Sequence, residues 1–133
     1  VWRAVFIHRD FLTKKGRQAM AVFLPYFYLV LAILFEVIAT TSLKASDTLT
    51  RPVPTVIMLV SYLVCFVFMS LVMRWLPVGV TYALWSGLGI VLITLVAWYR
   101  FGEVLDGPAL IGIGLIIAGI VVIQVFSRSS LHQ

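Results

Sequence analysis

The segment Tyr26–Lys44, YFYLVLAILFEVIATTSLK, carries one acid, Glu36, in the middle of a run that is otherwise uncharged until Lys44. The apolar run around it, Leu24–Leu43, matches the roughly 20 residues that a helix needs to cross a ~30 Å hydrocarbon layer. Three further runs of that length follow, at Val53–Arg74, Gly79–Tyr99 and Gly107–Phe126. The prolines, Pro25, Pro52, Pro54, Pro77 and Pro108, sit at or just inside the ends of these runs. There a missing amide donor costs a helix little. Barrel strands would alternate apolar and polar residues, whereas these runs are apolar all round. The reading is an all-α integral membrane protein of four transmembrane helices.

Composition agrees. Of 133 residues, 62% are hydrophobic and only 11% charged, against about 25% charged in an ordinary globular domain. Short joints between the runs imply antiparallel neighbours and leave no length for a soluble domain. Residues 20–128 therefore form one transmembrane domain, with a short tail at 129–133. The single cysteine, Cys65, excludes an internal disulfide, and His8 and His132 have no ligand cluster around them, so no metal site is expected. Five of the ten Lys and Arg residues fall within the first 17 positions (Arg3, Arg9, Lys14, Lys15, Arg17), so the +5 net charge is no nucleic-acid signal. Residues 1–19 read as a basic leader. An interfacial helix, a signal region or a non-native extension ahead of Met20 would each fit it, and we favour the last.

Glu36 lies ~4 Å from the midpoint of its span at the helical rise of 1.5 Å per residue. An acid at that depth is a functional candidate by default; the alternative is a protonated carboxyl acting as packing glue. Steps of four place Ala32, Thr40 and Lys44 on its face, with Leu29, Ile33 and Ala39 beside them. Phe27, Leu31, Leu34, Ile38 and Ala45 form the opposite face, suited to lipid. The acid is thus expected to point into a bundle or cavity. Hydrocarbon disfavours an unpaired carboxylate, so the acid there calls for a neutralising proton or cation. A proton and a cationic ligand cannot comfortably share one carboxylate, and that competition is the minimal physics of proton-coupled exchange.

The second span sets Met58, Tyr62, Phe66, Met69 and Met73 on one stripe, and the third sets Tyr82, Trp85, Ser86 and Gly89 on another. Such stripes are most often plain packing, but an acid with aromatic faces suits bulky hydrophobic cations. Gly87 and Gly89 mark a hinge or a close helix contact. The fourth span has no candidate ligand; its Gly112, Gly114 and Gly119 read as an assembly surface. Four helices of ~10 Å diameter leave no room for a translocation chamber, so a partner chain is required. No phosphate-binding loop, catalytic triad or paired carboxylate occurs, which leaves no expected cofactor and little support for an enzyme.

The acid followed by V-I-A-T-T-S-L-K, together with LPVGVTYALWSGLGIVLITLVAW (Leu76–Trp98) and LDGPALIGIGLIIAGIVVI (Leu105–Ile123), resembles the small multidrug resistance transporters, specifically their multidrug branch. The resemblance covers about Met20 to Arg128. It implies an antiparallel homodimer in a bacterial inner membrane that exchanges protons for lipophilic or quaternary ammonium cations. It assigns Glu36 of both subunits to shared proton and substrate binding. Tyr26, Tyr62, Tyr82 and Trp85 match its pocket aromatics, Ala32 and Thr40 the small residues beside the acid, and Gly112 with Gly119 its dimerising helix; Ile33 and Phe66 join the candidate pocket as their neighbours. Asp47-Thr48-Leu49 departs from the family's acidic residue followed by Gly-Phe, and Val1–Ala19 has no counterpart. Two other readings stand beside this one: export of guanidinium-type or polyamine cations, and a non-transporting accessory subunit in which Glu36 pairs with a partner's base.

Charge placement bears on orientation. With four spans, Arg74 and Arg128 share one side, and Lys44, Arg51 and Arg100 the other, so the positive-inside rule gives almost no bias from residue 20 onward. The five leader bases would fix the amino terminus in the cytoplasm and oppose an antiparallel dimer. The functional protein is therefore expected to start near Met20.

Overall fold

A computed structural model describes residues 2–127; Arg128 and the tail at 129–133 lie outside the described residues. Its four helices are α1 (Trp2–Ala45), α2 (Pro52–Val72), α3 (Val78–Phe101) and α4 (Gly107–Phe126). Each contains a stretch long and apolar enough to span a membrane. The expected spans all appear, with α2 ending two residues early and α3 running two residues further.

α1 differs most from expectation. It continues unbroken through the basic leader, so Pro25 lies inside a helix of 44 residues rather than at its start. At 1.5 Å per residue that helix is about 66 Å long, roughly twice the hydrocarbon thickness. Ile7 to Phe23 are all exposed, and burial begins at Pro25. The other prolines behave as the sequence suggests: Pro52 and Pro108 sit in the first turns of α2 and α4, and Pro77 caps α3.

The core is built by three helices. α1 contributes Leu29, Ala32 and Ile33, α2 contributes Cys65, Met69 and Val72, and Leu76, Val80 and Leu84 come from the turn before α3 and its first half. Ala32, Ala39 and Cys65 are fully buried, and such small side chains let helix backbones approach closely in a membrane. Phe27, Leu34 and Ile38 stand on the exposed side of α1, as the lipid-facing reading requires. α4 has no buried residue. It leans on α3 through Ile116 and Ile120, which meet the backbone at Gly87.

The joints fix the up-and-down order. Lys44, ending α1, forms an ion pair with Glu103, just after α3, and its ammonium lies 4.6 Å from the Phe101 ring centroid. The first and third joints therefore share one end of the bundle. Gly102 closes α3 in the left-handed conformation (φ 65°), and Asp106 caps α4 by accepting the Ala109 amide at 3.0 Å.

The first joint is strained. Asp47, Thr48 and Leu49 have φ of 49°, 59° and 64°, a left-handed run that costs a non-glycine residue about 1–2 kcal/mol each. Buried Ser46 holds it: Oγ donates to the Leu43 carbonyl at 2.6 Å and accepts the Leu49 amide at 3.1 Å, while its own carbonyl receives the amides of Thr50 and Arg51, each at 3.0 Å. Thr48 is β-branched, the worst kind of side chain for this region. Thr48→Gly should therefore stabilise the folded protein by about 1 kcal/mol, read as a higher midpoint of thermal unfolding in detergent; an unchanged or lower midpoint would remove strain as a feature of this joint.

Candidate functional site

The 3.6-residue period of α1 stacks Thr40 one turn beyond Glu36, and the two side chains meet. Thr40 Oγ1 donates to Glu36 Oε1 at 2.5 Å, and lies 3.1 Å from the Tyr62 hydroxyl of α2. A hydroxyl has one proton. With Thr40 giving its proton to the carboxylate, Tyr62 must donate to Thr40, so the three groups form a directed chain ending on the acid. The second carboxylate oxygen, Oε2, is buried and has no hydrogen-bond partner among the described residues.

Aromatic side chains extend the group. Tyr62 stacks on Phe66, with centroids 6.1 Å apart and planes 17° from parallel. On α3, Tyr82 meets Trp85 edge-on at 5.4 Å. The indole Nε1 of Trp85 is buried with no N or O hydrogen-bond partner among the described residues, like Glu36 Oε2. Leaving such a group unpaired costs about 1–3 kcal/mol, so the site holds one unspent acceptor and one unspent donor. Phe66 and Tyr82 are 56% and 60% exposed. Their ring faces open outward from the protomer rather than into it.

The remaining sequence candidates are distributed differently. Ala32 and Ile33 are buried in the helix core; Ile33 also borders an apolar crevice of about 210 Å³ between α1 and α3. Tyr26 stands well away from the acid, ten residues up α1, and its hydroxyl donates to Gln124 Oε1 of α4 at 2.9 Å. Gln124 is a polar side chain of the fourth span that the sequence reading passed over, and its Nε2 is another buried atom with no hydrogen-bond partner among the described residues. A lone amide near the end of a 20-residue apolar helix was the available signal.

The glycines divide. A Cβ at Gly87 would lie 2.1 Å from Ile120 Cδ1 and 3.2 Å from Ile116 Cγ2, whereas at Gly89, Gly112, Gly114 and Gly119 it would meet nothing within 4 Å. Gly87 is thus where α4 seats on α3, and the α4 glycines line open surface.

Four apolar spans around a single half-buried acid define a multi-pass α-helical membrane protein, with the carboxylate as its central polar feature. Residues 24–116 match the model of the Small Multidrug Resistance protein family. The chain is 57% identical over 107 residues to a multidrug transporter of Pseudomonas aeruginosa, covering 80% of this chain and 97% of that protein. Against the multidrug transporter EmrE of Escherichia coli it is 47% identical over 108 residues (81% and 98% covered), and against the quaternary ammonium compound-resistance protein QacE of Escherichia coli 46% over 107 (80% and 97%). The chain belongs to the small multidrug resistance family, a family of bacterial inner-membrane transporters.

The Gly87 contact gives a test of the α3–α4 packing. Gly87→Ala should destabilise the protein by about 1–3 kcal/mol through overpacking. Adding Ile120→Ala, which removes the atoms met first, should recover much of that loss in thermal unfolding. Purely additive losses would show that α4 does not seat at Gly87.

Proposed function

We propose that the protein is a proton-coupled antiporter that exports lipophilic and quaternary ammonium cations, with Glu36 shared in turn by proton and substrate. The observation that carries this reading is the buried Oε2 of Glu36, unpartnered among the described residues, beside an oxygen held by Thr40, whose hydroxyl is in turn held by Tyr62. The hydroxyl chain orients the carboxylate and leaves one oxygen for an exchangeable occupant. A proton on Oε2 neutralises the acid. Its departure leaves a negative charge in a low-dielectric site, which attracts a cation strongly. Aromatic faces at Tyr62, Phe66, Tyr82 and Trp85 offer quadrupole attraction and apolar area without demanding a particular shape. The relatives, multidrug transporters and a quaternary ammonium compound-resistance protein, support the substrate class.

The transporting unit we propose is an antiparallel homodimer. α4 has no buried residue, its Gly112, Gly114 and Gly119 leave backbone open to close approach, and Phe66 and Tyr82 face outward where a second copy would enclose them. Gly87 and Gly89 in α3 are the proposed hinge between the two access states. Exchange of conformations between the two protomers would then alternate access around both copies of Glu36.

Proton release on adding tetraphenylphosphonium to the detergent-purified protein tests the shared site. Wild type should release protons as it binds the cation across a pH series, and Glu36→Gln should lose both release and binding. Cation binding that persists in Glu36→Gln without release would move the substrate elsewhere and return the acid to a structural role. A profile restricted to guanidinium or polyamine cations would instead favour the small-cation reading.

Orientation gives a second test. A chain beginning at Met20 should insert in both orientations, whereas the full chain should hold its amino terminus in the cytoplasm because its leader adds five bases to that side. Accessibility labelling of cysteines placed in the joints reads this directly, and identical mixed labelling of both forms would refute the assignment of that role to the leader.

A further inference from the structure

Glu103 sits far from Glu36 in sequence, at the end of the bundle shared by the first and third joints. Gly102 turns the chain out of α3, and the Glu103 amide returns to the Ala97 carbonyl at 3.3 Å. This fixes the acid at the rim of a cavity of about 240 Å³, lined by Thr94, Leu95, Trp98, Glu103, Leu105 and Leu110. A second hollow of about 170 Å³ adjoins it and shares Thr94, Glu103 and Leu105. One wall is thus an exposed indole, another an aliphatic surface, and the third element an acid.

Glu103 has a partner, Lys44, but the pair is loosely held. Both side chains remain about half exposed (49% and 48%), and ion pairs in such settings contribute about 0.2–1 kcal/mol. The Lys44 ammonium also lies 4.6 Å from the Phe101 ring centroid, a contact it can keep on leaving the carboxylate. Displacing it from Glu103 therefore costs little. The cavity falls below the roughly 300–1,000 Å³ of drug-sized sites, which suits a compact cation without long substituents.

We propose that Glu103 and Trp98 form a peripheral binding site for small quaternary ammonium cations, in which the ligand takes the place of Lys44 beside the Glu103 carboxylate and rests against the Trp98 ring. The site is separate from Glu36 and does not depend on it. At the membrane surface it would hold cations at one mouth of the bundle, raising their local concentration there.

The test uses the full chain carrying Glu36→Gln, labelled with fluorotryptophan and purified in detergent, with tetraethylammonium as the probe. Fluorine NMR reports each tryptophan, and Trp98→Phe identifies the Trp98 line. That line should shift saturably with tetraethylammonium, and Glu103→Gln should abolish the shift while Glu103→Asp, which keeps the charge, retains it. Lys44→Gln removes the internal competitor and should tighten binding by up to about fivefold, the equivalent of an exposed ion pair. A merely structural Lys44–Glu103 bridge predicts the reverse sign, because both substitutions would loosen the same joint. A Trp98 line that does not move, a shift that never saturates, a shift unchanged by Glu103→Gln, or weaker binding in Lys44→Gln would each overturn the proposal. Because Glu36 is absent throughout, these outcomes are independent of whether Glu36 is the shared transport site.

Discussion

One carboxylate in hydrocarbon constrains everything around it. Oxygen atoms that lipid cannot solvate must be satisfied by the protein, and the first layer of that satisfaction is local: Thr40, one helical turn along, reaches Glu36 at 2.5 Å. The second layer requires another helix, because Tyr62 must stand at the right height on α2 to supply the proton that Thr40 has given away. α2 holds that height through its buried stripe of Met58, Ser61, Cys65, Met69 and Val72, spaced to run down one face opposite α1. The packing of the core and the orientation of the acid are consequently one problem. A slip of α2 against α1 would break the hydroxyl chain as well as the apolar contacts.

What was legible in the sequence follows the same division between local and distant. Span lengths, the burial of the Glu36 face and the exposure of Phe27, Leu34 and Ile38 rest on periodicity within one helix, which a chain displays directly. The placement of Thr40 beside the acid is equally local. The meeting of Tyr62 with Thr40 depends on the relative height of two helices, and periodicity fixes a face without fixing a height. The Tyr26–Gln124 bond is further out of reach, since it joins residues 98 apart. The left-handed run at Asp47–Leu49 contradicts local propensity, so propensity could not foretell it; the hydrogen bonds of the buried Ser46 override it. The leader shows the opposite case. Its composition set it apart from α1, yet nothing in it breaks a helix strongly enough to end one, Gly16 and Pro25 included.

The helices divide their work. α1, α2 and the first half of α3 share a core and carry the acid, its relay and Trp85. α4 stands apart with no buried residue, tied by the Gly87 contact and by Gln124. In lipid an apolar helix gains little from burial against another, because the hydrocarbon is as apolar as its neighbours. Its commitment to one partner must come from close backbone approach and from hydrogen bonds. α4 has one of each toward its own protomer, and open glycines on its remaining surface.

The unspent groups fit the proposed exchange site. Glu36 Oε2 and Trp85 Nε1 are buried with no N or O hydrogen-bond partner among the described residues, and each carries a desolvation cost of about 1–3 kcal/mol. A protein selected for stability alone would pair them. A site that must accept and release an occupant cannot satisfy its own groups fully, because every internal hydrogen bond would have to be broken at each exchange. On the reading proposed above, the Thr40–Tyr62 relay resolves the conflict by placing its single bond to the acid, from Thr40, on one carboxylate oxygen only. That oxygen fixes the direction of the acid, and the other keeps the free energy of a strong interaction in reserve for whatever enters.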